Sequence, residues 1–452
     1  MIRWGSAEGR WVLAATVLGS GIVFLDGTVV NVALPAIGRD LGAPLTSLQW
    51  TVNAYLVTLS ALLLLGGSLG DRLGRRAVFV AGLVGFTAAS LLCGLAPNAP
   101  ALIAARAIQG VGGALLVPGS LAIISSTFDP ADRSTAIGAW SGLAGVATSI
   151  GPFLGGWLID AVSWRLIFLL NVPLAAVAIA IALRHVPESR AQHVARPDGR
   201  GALLATVGLA GLSYAAIQHR GLGSLVAGLG GALAVAAFLF VEARTDGPML
   251  PLDLFRSRQF SGANGTTFAV YAGLGGAFFL LAIRLQTSLG YSALEAGAAF
   301  VPFTLLMLVL SPTAGRLGQR IGPRVPMTIG PILSALGLLL FSRVGPGDTY
   351  LTGVLPGVVG FGLGMGLTVA PLTAAVLAAV DDERNGVASG VNNAVSRFAG
   401  LLAVAALPPL AGIGTGSSLA ADLDAGFGRA LLLAAALCLL GAAISAATVR
   451  RV

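Results

Sequence analysis

Fourteen stretches of this chain are apolar for long enough to cross a bilayer, and the segments between them are too short to fold by themselves. A transmembrane helix needs about 20 mostly apolar residues. Such runs occupy 11–34, 48–69, 77–96, 101–127, 135–159, 164–184, 199–218, 223–241, 261–285, 294–313, 325–342, 351–378, 387–410 and 427–449. Of the 452 residues, 56% are hydrophobic and only 10% charged, against about 25% charged in soluble domains. The mean hydropathy is +0.88. No soluble fold of this length can hide so much apolar surface behind so little charge. The expectation is an all-α, multi-pass integral membrane protein in contact with lipid on its outer faces.

An even number of spans puts both ends of the chain on one side. All 27 basic residues are arginine. Nineteen of them fall in the ends and in the loops after even-numbered spans, while Arg39, Arg165, Arg220, Arg284, Arg343 and Arg429 fall in the opposite loops. The positive-inside rule then places both termini in the cytoplasm. The formal net charge of +8 is read as topology rather than nucleic-acid affinity, because the arginines are scattered and form no patch. Cys93 and Cys438 lie in apolar runs at no metal-ligating spacing and imply no disulfide framework. His185, His193 and His219 fall in loops without carboxylates at helical spacing. That leaves no metal site and no convergent set for a membrane-embedded enzyme. The first apolar run is too long for a signal-peptide core of about 7–15 residues, and it is read as a retained span.

Two stretches echo one another. GSLGDRLGRR at 67–76 follows the second span and GRLGQRIGPR at 315–324 follows the tenth. Equivalent loops at equivalent places imply two homologous six-span halves flanking the pair 199–241. The expected organisation is an N-terminal half (1–190), a central two-helix insertion with its flanking loops (191–258) and a C-terminal half (259–452). Repeated halves are a common architecture of secondary transporters.

Ionisable residues inside spans are the next signal. Asp26 sits within VLGSGIVFLDGTVVNVALP, where an acid costs roughly 2.5–3.5 kcal/mol on insertion scales. Three explanations compete: a structural acid satisfied by neighbours such as Thr28 or Asn31, a fixed counter-ion for a cationic substrate, or a group that titrates as access alternates. Burial raises a carboxyl pKa and a nearby cation lowers it, so a site moving between such environments loads and unloads a proton. Arg106 and Gln109 lie one turn apart on one helix face. A guanidinium keeps its proton, so Arg106 either faces a carboxylate or polar cavity, or snorkels to water from a helix end. Arg397, with Asn392 and Asn393, makes a second polar patch, open to readings as an interhelical cluster or as part of a cavity.

Several motifs together resemble the fourteen-span drug:proton antiporters of the major facilitator superfamily. They are LDGTVVNVALP in the first span, GGSLGDRLGRR after the second, RAIQGVGGALLVP (106–118) in the fourth and GVATSIGPFLGG (145–156) in the fifth. LQWTVNAYLVTLSALLLL and SGVNNAVSRFAG also fit, and the resemblance covers essentially the whole chain. It implies the major-facilitator fold, two six-helix halves plus two additional central helices. It also implies proton-coupled efflux of small amphipathic or cationic compounds such as antibiotics. Asp26, Arg106 and Gln109 would carry proton and substrate coupling. Asn31, Asn53, Tyr55, Asn392, Asn393 and Arg397 are the candidates for lining a substrate cavity.

The resemblance makes Gly67, Asp71, Arg72, Gly74, Arg75 and Arg76 a conformational latch, against the plainer reading that the arginines only anchor topology. The second copy has Gln319 where the first has Asp71, which weakens or removes its latch. Gly151, Pro152, Gly155 and Gly156 form the antiport motif in the family, and equally a bent, small-residue strip for helix packing. With no lysine there is no Walker loop. No cofactor is expected, and the energy source is the proton gradient, each charge being worth about 2.3 kcal/mol per 100 mV. The remaining expectations are a monomer in the bacterial plasma membrane that takes small molecules and protons, with no nucleic acid. An importer of a nutrient or a carrier of an endogenous metabolite is the alternative within transport; a non-transporting receptor or scaffold would have little use for Asp26 and Arg106.

Overall fold

The computed structural model describes residues 2–191, 198–245, 247–345, 347–381, 384–414 and 419–450; His193 lies outside them. In chain order the helices are α1 (Ala7–Leu41), α2 (Leu45–Leu73), α3 (Arg75–Gly94), α4 (Ala99–Thr127), α5 (Arg133–Ala161), α6 (Leu166–Leu169), α7 (Asn171–His185), α8 (Gly199–Gln218) and α9 (Leu222–Glu242). They continue with α10 (Arg258–Thr287), α11 (Ala293–Ala298), α12 (Val301–Ile321), α13 (Arg324–Phe341), α14 (Leu355–Leu377), α15 (Asn385–Leu410) and α16 (Leu419–Thr448). Among the described residues, fourteen helical segments are long and apolar enough to cross a membrane, including the interrupted runs Leu166–His185, Ala293–Ile321 and Tyr350–Leu377. They coincide with the fourteen stretches read from the sequence.

The ends of the helices follow ordinary capping chemistry. Ser6 opens α1 by accepting the Gly9 N–H, and Gly42, in the left-handed region at φ +58°, closes it. Asn98 opens α4 by accepting the Ala101 N–H. Ser292 and Glu295 form a reciprocal capping box at α11. α16 starts at Leu419, ahead of the apolar run that begins at 427, because Asp422 sits favourably in its first turn despite ending the hydrophobic pattern. His185 is not in a loop. It is the last residue of α7, and its ring stacks on Trp11 at 5.0 Å between centroids.

The chain divides into two compact units: Met1–Gly211 with Leu229–Met249, and Leu212–Gly228 with Leu250–Val452. In the first, α2 and α3 pack on α4, and α1 packs on α5, α7 and α4. In the second, α12 and α13 pack on α14, while α10 packs on α16 and α15. The order α2–α3–α4 in one unit thus recurs as α12–α13–α14 in the other. Leu92, Leu183, Leu233, Val309 and Leu336 stay exposed on helix surfaces, as hydrocarbon-facing positions should. Within the first unit, a Cβ at Gly110 would overlap the Tyr55 carbonyl and the Thr58 hydroxyl. That close approach of α4 to α2 carries the side chain of Arg106 across to Thr51.

Candidate functional site

The polar residues of the first, third, fourth and seventh helices meet in one enclosed cluster. Arg106 and Gln109, three residues apart on α4, point at α1. Arg106 donates through Nη1 to Asp26 Oδ2 (2.5 Å) and to Gln109 Oε1 (2.5 Å), and through Nε to the Thr51 carbonyl (3.0 Å). Gln109 Nε2 donates to Asp26 Oδ1 (3.0 Å) and to Ser90 Oγ on α3 (2.8 Å). Asn171, the first residue of α7, donates from Nδ2 to the same Ser90 oxygen (3.2 Å). The ring of Tyr55 lies 4.2 Å from the guanidinium carbon and that of Phe168 5.7 Å, both within cation–π range. Asp26, Gln109, Ser90 and Asn171 are 0% exposed, and Arg106 and Tyr55 1%.

This geometry decides between readings the sequence leaves open. Arg106 does not snorkel: its head group turns inward, onto a carboxylate. The partners of Asp26 are not Thr28 and Asn31 either. Thr28 Oγ1 donates to the carbonyls of Phe24, Leu25 and Thr148, and Asn31 Nδ2 donates to the Gly27 carbonyl of its own helix. Two opposite charges buried together compensate one another only with good geometry and further hydrogen bonds; here Gln109 and the Thr51 carbonyl supply the hydrogen bonds, and the Tyr55 ring lies over the guanidinium. The pair ties α1 to α4.

The glycine strip of α5 packs beside this site. A Cβ at Gly151 would lie 2.6 Å from Thr28 Oγ1, and one at Gly155 would overlap Val29. Pro152 stands between them inside a helix that continues unbroken to Ala161, and Gly156 is buried with them. The strip therefore fits α5 against α1 directly behind Asp26.

The 67–76 stretch is helical for most of its length, which corrects the loop expected there. α2 runs past Gly67 to Leu73, and Gly74 alone, at φ +121°, makes the turn into α3. Only glycine adopts that conformation freely. Asp71 pairs with Arg75 (2.7 Å) and Arg72 is exposed. The acid at the N-terminus of α3 is Glu188, from the segment after α7: its carboxylate accepts from the backbone N–H groups of Arg76 and Ala77 (both 3.1 Å). Arg76 returns a bond to the Val186 carbonyl, Arg75 N–H bonds the Ser189 carbonyl, and Ala191 N–H the Asp71 carbonyl. In the second copy Gly322 makes the turn at φ +85°. There, among the described residues, Arg316, Arg320 and Arg324 form no ion pair.

Asn53 on α2 is fully buried, and neither atom of its carboxamide has a partner among the described residues. In the second unit Asn392 donates to Asn264 Oδ1 (3.1 Å) and Thr267 Oγ1 (2.7 Å), bridging α15 to α10. Asn393 bonds the Ser389 carbonyl of its own helix, and Arg397 is half-buried. Sequence reading missed Ser90, Asn171, Glu188, Asn264 and Thr267. Asn171 and Asn264 carried a usable signal, an amide inside an apolar span; Ser90, one small hydroxyl in AASLL, carried none.

Comparison with known proteins agrees with this architecture. The model of the Major Facilitator Superfamily matches residues 16–404. The probable actinorhodin transporter of Streptomyces coelicolor is 35% identical, over 93% of this chain and 76% of its own. The puromycin resistance protein of Streptomyces alboniger is 38% identical, over 88% of this chain and 80% of its own. Among solved structures, a bacterial homolog of the human lysosomal transporter Spinster, inward-facing and unoccupied, superposes with a TM-score of 0.69 at 16% identity, covering 98% of this chain and 97% of that one.

Proposed function

Because the chain belongs to the Major Facilitator Superfamily, and is therefore a multi-pass membrane transporter of small molecules, we propose that it exports small amphipathic or cationic compounds, antibiotics among them, in exchange for protons. The observation that carries this reading is the enclosed Asp26–Arg106 pair with its Gln109 bridge. A carboxylate kept in a span beside an arginine is poised to trade its counter-charge for a proton or for a cationic ligand. The relatives named for actinorhodin transport and puromycin resistance support the direction and the class of cargo. The glycine strip of α5 lets that helix slide on α1 as access alternates. The proton gradient supplies the energy, no cofactor takes part, and both termini lie in the cytoplasm of a bacterial plasma membrane.

Growth inhibition across a broad panel of toxic compounds in an efflux-deficient host tests the proposal, comparing empty vector, wild type and Asp26→Asn at matched expression. Raised tolerance with wild type that disappears in the variant is the expected result. Tolerance unchanged by the wild-type protein across the panel counts against drug export and favours an endogenous metabolite or uptake.

A further inference from the structure

Gln109 can serve Asp26 only in one of its two amide orientations, and the structure shows what selects it. Its nitrogen faces the Asp26 carboxylate and Ser90, and its oxygen faces Arg106 Nη1. Reversed, the amide would set an oxygen against the carboxylate and an NH2 against the guanidinium. Ser90 is the outer check on that choice. A hydroxyl oxygen has two lone pairs; Asn171 donates to one and Gln109 to the other. With Asn171 and Gln109 both donating to it, Ser90 meets the NH2 end of Gln109 and adds to the choice that Asp26 and Arg106 impose.

From this chain of contacts we infer that Ser90 and Asn171 are positioning residues for the proton site. Together they hold Gln109 as a hydrogen-bond donor to Asp26. Neither touches the carboxylate; both act through the amide. A donor to a carboxylate favours its ionised form, so the Asn171–Ser90–Gln109 arrangement sets the pH at which Asp26 takes up its proton. The charged and titratable groups that face Asp26 are Arg106 from α4, Tyr55 from α2 and Cys93 from α3. The Cys93 thiol lies 3.7 Å from Gln109 Oε1. α5 brings its glycine strip against Leu25, Thr28 and Val29, and α7 brings Asn171. The inference rests on the reading of Asp26 as the titrating group and goes beyond it by naming what tunes that group. It also ties the site to α7, the helix whose far end leads to Glu188.

The test needs no transported compound. Infrared titration of the purified, lipid-reconstituted full chain follows the protonated-carboxyl band, and the part of it missing in Asp26→Asn belongs to Asp26. Ser90→Ala and Asn171→Ala are expected to move that band's midpoint upward by about half a pH unit or more, while Ser90→Thr, which keeps the hydroxyl, stays at the wild-type value. Ser90→Cys, close in size and a poor acceptor, replaces Ser90→Ala should the latter fail to fold, with the same upward shift expected. Midpoints unchanged in both the serine and the asparagine variants would overturn the inference, as would an equal shift in Ser90→Thr. No Asp26-dependent band in wild type between about pH 4 and 9 would instead remove the titrating reading itself. A wild-type chain that titrates as described but exports nothing would leave the inference standing while the proposed function fell.

Discussion

Arg106 and Asp26 meet at 2.5 Å with neither side chain more than 1% exposed, so each is the other's counter-charge where an unpaired ion is most costly. Removing one partner of a buried pair typically costs about 3–5 kcal/mol, because the other charge is left alone. Asp26→Asn and Arg106→Gln are each expected to lower the unfolding temperature in detergent, and the combined variant to recover a large share of the loss. A double variant as unstable as the two losses added together would show that the residues do not depend on one another.

The contact between α5 and α1 leaves no room for a side chain. Gly155→Ala would drive a methyl into Val29, and overpacking of this kind costs about 1–3 kcal/mol. Val29→Ala should restore what Gly155→Ala removes, in stability and in transport alike. If instead the two substitutions act independently in a double-mutant cycle, the close approach is not what the glycine is for.

Glu188 caps α3 through two backbone N–H groups. Loss of a side-chain cap is worth about 1 kcal/mol, concentrated at the capped end. Glu188→Ala should therefore speed amide exchange over the first turn of α3, from Arg75 to Val78, with little change in α4. Asp71→Ala should not reproduce this, since Asp71 pairs with a side chain rather than with those amides. Equal exchange in the two variants would contradict the assignment.

Outside the spans, Arg384 hydrogen-bonds Asp253 and holds its carboxyl below the usual carboxylate range. A depressed native pKa means the pair stabilises the fold above the unfolded value of about 3.9, and the contribution is lost as pH falls through the folded value. Both groups are about half exposed, so the effect is small and screened by salt. Unfolding temperatures measured down to about pH 3 should fall more steeply for wild type than for Arg384→Gln at low ionic strength, and the difference should shrink in about 1 M salt. The opposite slope would reject the pairing.

How much of this was legible beforehand depends on what kind of signal each feature leaves in one dimension. Hydrophobic length marked all fourteen spans, because the bilayer reads length and polarity directly. Asp26 and Arg106 stood out as charges where charge is expensive. That they are partners was not written in their spacing: eighty positions separate them, and only the packing of α4 on α1 and α2 brings them together. Ser90 and Asn171 are hydrogen-bonding residues of ordinary size whose role exists only relative to Gln109. The 67–76 stretch reads as a loop because glycines and charges gather there. The helix runs through them to Leu73, and Gly74 alone, at φ +121°, departs from it. Glu188 was overlooked because an acid just after a helix looks solvated until the turn it caps is folded beside it.

The most direct test of the account is coupled exchange in everted membrane vesicles holding an inward proton gradient. A pH-sensitive dye reports the gradient, and the added compound is one to which the wild-type chain confers tolerance. The account predicts that wild type dissipates the gradient when the compound is added and that Asp26→Asn, equally abundant in the membrane, leaves it intact. Equal proton movement in both, or export by wild type with no proton movement, would contradict the assignment of Asp26 as the group that exchanges a proton for cargo.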